Sequence, residues 1–347
     1  MKRFIIIFAL FTSILTVNAQ GSFSVTEGQP TVVYSLPKTE LSVEIEVEKT
    51  TQKPGLYYQY SERYLATNQI VLEEKTNYGI KNITVKSRAI PDSKRTYSII
   101  PSKESNLNLL SVNEQGLLCG INVPANTTVH EYRTTVSTNK QVQQELALLP
   151  LGEEYLMAGS VAKLAEGAAK QIYRIRESRL SLLTGDLDHL PADGTSLKTM
   201  LDGLNNMERE LTELFVGKKS VETQKYTLYL TPDSTVNKMV LFRLSALKGL
   251  VSADDLTGVP YFISVVPEKI KTIPSDTKNK KAQSVIKTLL PATTLVTVGD
   301  GVKTLYSDKV LMPQFGVVVP FGEDIFASPK SKVYVDYQTG RLLRIEK

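Results

Sequence analysis

The sequence predicts an α+β protein in which two β-rich domains, sandwich-like or barrel-like, flank an antiparallel αα hairpin. Apolar and polar residues alternate in short runs between residues 31 and 147 and again after residue 221, a pattern typical of strands with one buried face. Between these regions the apolar period lengthens to three or four residues, as in amphipathic helices. The predicted organisation is a leader at 1–19, a β-rich domain at 20–150, a helical hairpin at 151–218 and a second β-rich domain at 219–347.

The leader has the features of a secretory signal peptide. Met1-Lys2-Arg3 is a short basic start, an apolar run extends from Phe4 to Val17, and Val17-Asn18-Ala19 is a small-x-small cleavage pattern. The apolar run is too short for a membrane-spanning helix. We therefore expect an exported protein, with no nucleic acid partner and no cytosolic cofactor.

Composition and charge narrow the classes of partner further. The formal net charge of +5 falls to +3 without Lys2 and Arg3, an excess too small to indicate a polyanion partner. No other segment reaches about 18 consecutive apolar residues, so we expect no transmembrane segment in the mature chain. Cys119 is the only cysteine, and it lies too far from the cleavage site to carry a lipoprotein anchor. Its apolar surroundings favour a buried, inert thiol.

The N-terminal β-rich region contains the clearest strand pattern, with the apolar residues Leu41, Val43, Ile45 and Val47 alternating with polar ones. Residues 80–88 and 95–100 are predicted as two further strands separated by a turn at Pro91-Asp92. A hairpin is predicted at 107–122, with its turn ending at Gly116. The tyrosine-rich stretch 57–64 is predicted as a short helix packed on this sheet.

Two helices are predicted between the β-rich regions. The first covers 153–184 and ends at Gly185, and the second covers 196–216 and ends at Gly217. The short connection between them predicts an antiparallel pair. The apolar stripe of the second helix could be a docking surface for a partner, but it is interpreted as the seam with the first helix or as a face resting on a sheet. It consists of Leu197, Leu201, Leu204, Met207, Leu211 and Leu214.

The C-terminal β-rich region is predicted to contain a series of strands and two hairpins. The strands are 226–231, 238–244 and 259–266, with one hairpin turning at Gly299-Asp300-Gly301 and a closing hairpin at 333–345. The closing hairpin has the same outline as the hairpin at 107–122. An internal duplication of β domains is therefore left open.

The inter-helix loop is the densest cluster of potential metal ligands. Asp186, Asp188 and Asp193, with His189, offer carboxylate and imidazole groups. A calcium loop would need a glutamate where Leu197 stands. Aspartates are also the residues that turns and helix caps require, and this second interpretation is favoured. No cofactor is expected.

Catalytic motifs are sparse. The sequence has neither Gly-x-Ser-x-Gly nor His-Glu-x-x-His, and with 36 acidic residues no carboxylate pair can be selected from sequence alone. The protein is therefore interpreted as more compatible with a non-enzymatic role. Lys278, Lys280 and Lys281 lie in a lysine-rich segment that would contact an anionic surface or form a solvated loop.

Several short motifs, taken together and in this order, resemble domain of unknown function family 4831, exported proteins of Bacteroidota-type bacteria. They are Val33-Tyr34-Ser35-Leu36-Pro37, Pro54-Gly55 followed by Tyr60 and Tyr64-Leu65, Ile172 to Arg179, Leu190 to Gly194, Glu213 to Gly217, and Gln314 to Val318. The resemblance covers nearly the whole mature chain and implies a periplasmic or outer-membrane-associated setting, but no activity. It also implies that Asp233-Ser234-Thr235 is similar to an O-glycosylation acceptor, with Ser234 as the modified residue.

Three functions follow as expectations. The first is a non-enzymatic binding, scaffold or assembly role with an envelope protein or polysaccharide as the partner. The second is an envelope hydrolase that acts on glycan or peptidoglycan through a carboxylate pair, which would need a cleft with two carboxylates about 5–10 Å apart and tyrosine in its lining. The third is a small-ligand or lipid carrier with an enclosed apolar cavity.

Overall fold

The protein is mostly β, with three antiparallel sheets and few helices, so the predicted β-rich α+β class is confirmed. The computed structural model describes residues 23–26, 29–99, 110–125, 159–186, 193–270, 286–321 and 331–346, with the single positions 153 and 157. The predicted leader at 1–19 lies outside these residues.

Thirteen strands and three α-helices are described. The strands are β1 Phe23–Thr26, β2 Gln29–Lys53, β3 Lys75–Ile99, β4 Leu110–Val112, β5 Leu118–Ile121, β6 Lys218–Leu230, β7 Val236–Ser245, β8 Gly249–Val251, β9 Val259–Pro267, β10 Ile286–Gly299, β11 Thr304–Phe321, β12 Lys332–Val335 and β13 Leu342–Glu346. The helices are α1 Ser61–Leu65, α2 Val161–Thr184 and α3 Gly194–Val216, and a 3-10 turn, Tyr58–Tyr60, precedes α1.

Two of the three sheets combine strands from residues 20–150 and 219–347, the two segments predicted as β-rich domains. In the first sheet β2 is central, with β3 on one side and β6 on the other, and β1 also pairs with β2. The second sheet has the order β11-β10-β9-β7-β8, and the third has the order β13-β12-β5-β4. Hydrogen bonding between β2 and β6, and between β5 and β12, therefore ties the two segments together.

The largest core lies between the first and second sheets. The predicted alternation in β2 is confirmed, because all four of its apolar residues are fully buried here. They pack with side chains from β3 and from the facing sheet. The whole core consists of Leu41, Val43, Ile45, Val47, Ile83, Val85, Phe242, Leu244, Ile263, Val265, Val296, Val298 and Met312. Burial of this apolar surface is the main stabilising contribution to the sandwich.

A second core lies against the third sheet and uses the other ends of the same long strands. β2, β3 and β10 each contribute side chains to both cores. The second core consists of Tyr34, Leu36, Ile99, Leu118, Ile121, Ile286, Leu289, Val333 and Val335. The Cys119 thiol is buried in β5, as expected for an inert cysteine, and donates to the Leu117 carbonyl at 3.6 Å.

The predicted break at Pro91-Asp92 is wrong, because β3 continues through it as one strand of 25 residues. Pro91 pairs with Pro37 and Thr96 pairs with Ser35, so the additional residues of β3 form a bulge opposite Leu36. The Asp92 carboxylate accepts a hydrogen bond from the Lys94 backbone N–H at 3.0 Å. Asp92 therefore forms the local hydrogen bond that is typical of a turn, but the strand continues through this position.

The two predicted hairpins with matching outlines are both confirmed, and they lie in the same sheet. The first is β4–β5, with its turn at Gly116 (φ 78°), and the second is β12–β13, with Gly340 at φ 69°. These positive φ values explain why glycine ends each turn. β5 pairs with β12, so the third sheet is formed by the two hairpins side by side.

Candidate functional site

Helices α2 and α3 begin and end at residue types that commonly cap helices. Ser160 is the N-cap of α2, and its Oγ accepts a hydrogen bond from the Lys163 backbone N–H at 3.4 Å. Gly185 ends α2 at φ 75°, as predicted, and Gly217 follows α3. The described helix starts at Val161, eight residues after the predicted start, because Ser160 caps it there.

The two helices are antiparallel, and arginine–glutamate contacts join them. Arg176 Nε donates to Glu208 Oε1 at 2.6 Å, and Arg179 donates both to Glu208 and to Asn205 Oδ1, the latter at 3.0 Å. Burial raises the pKa of Glu208, but the hydrogen bonds from the two arginines outweigh it and hold that pKa below its usual value. The arginines thus cross to the neighbouring helix instead of forming a surface group with Glu177.

The base of the hairpin packs on the tyrosine-rich segment. Small side chains of α2 lie against apolar side chains of α3 and against Tyr57, and the Tyr57 and Phe215 ring centroids are 5.5 Å apart. The predicted short helix is therefore present as α1, but the expectation that it packs on the sheet is wrong, because its neighbours are the helices. This core consists of Tyr57, Ala165, Ala168, Ala169, Ile172, Ile175, Leu211 and Phe215.

The distal half of the hairpin carries an open groove of about 660 Å³ between the two helices. We call it the tip groove. Its lining consists of Arg174, Glu177, Ser178, Ser181, Leu182, Met200, Gly203, Leu204 and Met207. These residues recur at intervals of three, four and seven on each helix, so they form one continuous face across the pair.

Several large apolar side chains of this tip are exposed. Met200 is 49% exposed and Met207 36%, and on the adjacent surface Leu180 and Leu183 are 61% and 64% exposed. Met207 belongs to the stripe that was predicted as a seam, and this part of the interpretation is wrong. The stripe is fully buried only toward the base, at Leu211, which belongs to the core formed by α2, α3 and Tyr57.

The charged residues of the tip groove differ from those between the helices. Arg174 and Glu177 are exposed, and neither forms an ion pair with any residue in the described part of the chain. A Cβ at Gly203 would meet no atom within 4 Å, so the groove stays open at this position. Sequence reasoning missed Met200 and Gly203 as surface features, since helical periodicity identifies an apolar face but not whether anything covers it.

Of the candidate metal ligands in the inter-helix loop, only Asp186 and Asp193 lie among the described residues. Asp193 is the N-cap of α3: its Oδ1 accepts from the Ser196 backbone N–H at 2.7 Å, and this bond and the one from the Ser196 hydroxyl lower its pKa. The Asp186 N–H donates to the Ser181 carbonyl, and Asp188 lies outside the described residues. Across the described ranges, no three His, Cys, Asp or Glu side chains are grouped so that they could hold a metal ion.

Of the other predicted site residues, only Ser234 is described. It is exposed in the turn between β6 and β7, the strand-to-strand turn in which it was expected. Lys278, Lys280 and Lys281 lie outside the described residues.

A second, polar cleft of about 530 Å³ lies between the first two sheets and the β12–β13 turn, with Tyr306, Asp308 and Asp336 in its lining. Both carboxylates accept hydrogen bonds from residues that follow closely in the chain. Asp308 Oδ1 accepts from the Lys309 N–H at 2.7 Å, and Asp336 accepts from the Gln338 N–H at 3.0 Å and from the Thr339 hydroxyl at 2.6 Å.

Comparison with known proteins gives a family and no characterised relative. None of the described helices is both long and apolar enough to cross a membrane. Neither a curated protein nor a solved structure matches the chain. A family model described as "Domain of unknown function (DUF4831)" matches residues 30–343, nearly the whole chain, in agreement with the resemblance found in its motifs. The chain therefore belongs to the DUF4831 family.

Proposed function

We propose that this protein is an exported component of the cell envelope, periplasmic or associated with the outer membrane, that binds or assembles a partner through the tip groove. The role is non-enzymatic: the hairpin is the docking element and the β-sheets are the scaffold that holds it. The observation that carries the proposal is the exposure of Met200 and Met207 in a groove that Leu182 and Leu204 also line.

Physical chemistry supports docking at this groove. Contiguous exposed apolar surface is unfavourable in water, and on soluble proteins it commonly marks an interaction site. Methionine is unbranched and polarizable, so it adapts to partners of different shape. A groove between two helices accepts the apolar face of a further helix, with anchors spaced as the lining residues are.

The groove can be tested by filling it. Gly203→Trp places an indole in the groove without a clash at Cβ, and Gly203→Ala is the matched control, because it adds only a methyl group. Each variant is expressed at native level, crosslinked briefly in intact cells and purified, and co-purifying proteins are quantified by mass spectrometry. We expect one envelope protein in stoichiometric yield with wild type and Gly203→Ala, reduced at least tenfold with Gly203→Trp.

Two results would contradict the proposal. One is a wild-type protein that is always recovered alone and as a monomer, and the other is a partner that Gly203→Trp retains in full. Circular dichroism of the purified variants shows that a loss of partner does not result from loss of the helices.

The polar cleft favours the envelope hydrolase as a second candidate, because it combines two carboxylates with Tyr306. Asp308 and Asp336 would then be the pair that divides acid and base roles. The test is release of soluble fragments from purified peptidoglycan by wild type and by Asp308→Asn. Release that the variant abolishes supports hydrolysis, whereas no release by wild type removes this candidate.

A further inference from the structure

The two charged residues of the tip groove, unlike those that join the two helices, have no ion-pair partner among the described residues. Lys163 and Lys170 pair with Glu166 within α2, and Arg176 and Arg179 pair with Glu208 across the two helices. Arg174 and Glu177 lie on the groove face and have no such partner among the described residues. They are opposite in sign and three positions apart on one helix.

We propose that the occupant of the tip groove is a second copy of this chain, related by a two-fold axis that brings Arg174 of each copy to Glu177 of the other. The inference rests on the proposed function, since it names the partner of the same docking surface. In a two-fold interface the same patch meets itself, so residue i contacts residue j and j contacts i. A patch with one cation and one adjacent anion is complementary to itself under this operation, and it forms two ion pairs.

The lengths of the helices allow this arrangement. The two-fold axis would cross α2 between Ile175 and Arg176, midway between the two charged residues. At about 1.5 Å per residue, Thr184 lies about 13 Å beyond the axis in the direction of the tip, and Val161 lies about 22 Å from it in the direction of the base. Each tip therefore ends beside the partner copy's α2 without passing the start of that helix.

The apolar residues of the groove supply the remaining driving force. With the two α2 helices antiparallel across the axis, the Met207 side chains of both copies, each 36% exposed in the single chain, become covered in one four-helix bundle. Burial of these side chains stabilises the pair, and the ion pairs set its register, because like charges placed opposite each other are unfavourable. Gly203 lets a neighbouring helix approach closely at this position.

A charge-swap series tests the register. The full chain without the predicted leader is examined by sedimentation velocity between about 1 and 100 μM. We expect wild type to form dimers in this range. Glu177→Arg alone and Arg174→Glu alone place like charges together, and each should weaken the dimer at least tenfold. The double variant R174E/E177R should restore it, because the swapped charges again pair across the axis.

The control is Lys198→Glu, which reverses an exposed charge on α3 outside the groove lining and should leave the dimer unchanged. A wild type that stays monomeric at 100 μM overturns the inference, as does a dimer that the double variant fails to restore. These failures are distinguishable from failure of the proposed function. A monomeric wild type that loses a different envelope partner on Gly203→Trp leaves groove docking intact and removes only the second copy as its occupant.

Discussion

Gly55 lies directly against the backbone carbonyl of Leu214, where the chain leaving β2 meets the end of α3. A Cβ at position 55 would overlap this carbonyl group, and the Tyr57 N–H donates to the same oxygen at 2.6 Å. Nearby, the Val71 N–H donates to the Val216 carbonyl at 2.8 Å. These backbone contacts attach the helical hairpin to the segment that joins β2 and β3.

The close approach at Gly55 predicts that Gly55→Ala destabilises the attachment of the hairpin. The methyl group forces the backbone away from Leu214, and such overpacking costs about 1–3 kcal/mol. We expect faster cleavage in α3 during limited proteolysis and a lower thermal midpoint. The control is Gly79→Ala, where the added methyl group meets no atom within 4 Å, and it should unfold like wild type. Equal behaviour of the two variants would contradict the prediction.

The Gln314 side chain forms the hydrogen bonds with the β2 backbone at Thr39 that a neighbouring strand would otherwise form. Pairing between β2 and β6 ends at Leu41, and two residues earlier the Gln314 side chain binds both backbone groups of Thr39. Thr39 N–H donates to Oε1 at 2.8 Å, and Nε2 donates to the Thr39 carbonyl at 3.0 Å and to the Pro232 carbonyl at 3.3 Å.

Gln314→Leu is therefore expected to reduce the free energy of unfolding by about 2 kcal/mol or more, because buried backbone groups lose their hydrogen bonds. Chemical denaturation monitored by tyrosine fluorescence measures the change. Gln171→Leu makes the same substitution where the side chain has no hydrogen bond to another described residue, and it should change stability little. A Gln314→Leu variant as stable as this control would show that the bridge contributes nothing.

We expect a fall in pH to destabilise the helical hairpin before it affects the cores that contain no carboxylates. Hydrogen bonds from Lys170 and Lys163 lower the pKa of Glu166 to about 2, and the pKa values of Asp193 and Glu208 are also lowered. Groups whose pKa is lower in the folded state stabilise the fold above their unfolded pKa, near 4.5 for glutamate. This contribution is lost as the pH falls from about 4.5 toward 2.

The measurement is the thermal midpoint of the helical circular dichroism signal between pH 6 and 2. The midpoint should fall below pH 4.5, and Glu208→Gln should make the fall shallower, since it removes one of the titrating carboxylates. Glu210→Gln, at a glutamate with no ion pair among the described residues, is the control. A wild-type midpoint that stays constant down to pH 2 would exclude this linkage.

Gly203→Ala should stabilise α3. Glycine within a helix costs about 0.5–1 kcal/mol relative to alanine, and the methyl group here enters open space. We expect a gain of that size in the free energy of unfolding by urea titration. A loss of stability would mean that the groove is more tightly packed than its geometry indicates.

Ser234 is predicted to carry an O-linked glycan in the native organism. The prediction rests on the resemblance of Asp233-Ser234-Thr235 to an acceptor, and the exposed turn makes the hydroxyl accessible. The intact mass of the natively expressed protein should exceed that calculated from its sequence, and Ser234→Ala should remove the excess. Ser87→Ala, at another exposed serine, should retain it. Identical masses for wild type and Ser234→Ala would refute the assignment.

Local features of the fold could be predicted because short stretches of sequence determine them. The alternation from Leu41 to Val47 identifies a buried strand face, and Gly116, Gly185 and Gly340 end a turn, a helix and a turn at positive φ. Which strands pair could not be predicted, because β2 shows the same alternation whatever strand lies beside it. The bulge at Asp92 was mistaken for a strand end for a related reason: a turn signal does not show whether pairing resumes afterwards.

The tip groove was the least predictable feature. Met207 and Leu211 belong to one apolar stripe, yet only Leu211 is covered, since Tyr57 and Phe215 lie beside it. Tyr57 comes from a segment about 150 residues earlier in the chain, so no window of helical sequence shows that it packs here. Asp193, in contrast, was correctly interpreted as a cap, because capping depends on residues within one turn.

The pairing of β2 with β6 and of β5 with β12 also constrains when the native structure can form. A chain that emerges from a ribosome or a translocation channel from its N-terminus exposes a long strand with one free edge until residues 218–230 follow. The third sheet cannot form until residues 332–335 have emerged, because β5 pairs with them. During this interval the unpaired edge of β2 is a site for wrong pairing. Shielding by a chaperone would therefore matter most while the middle third of the protein is being delivered.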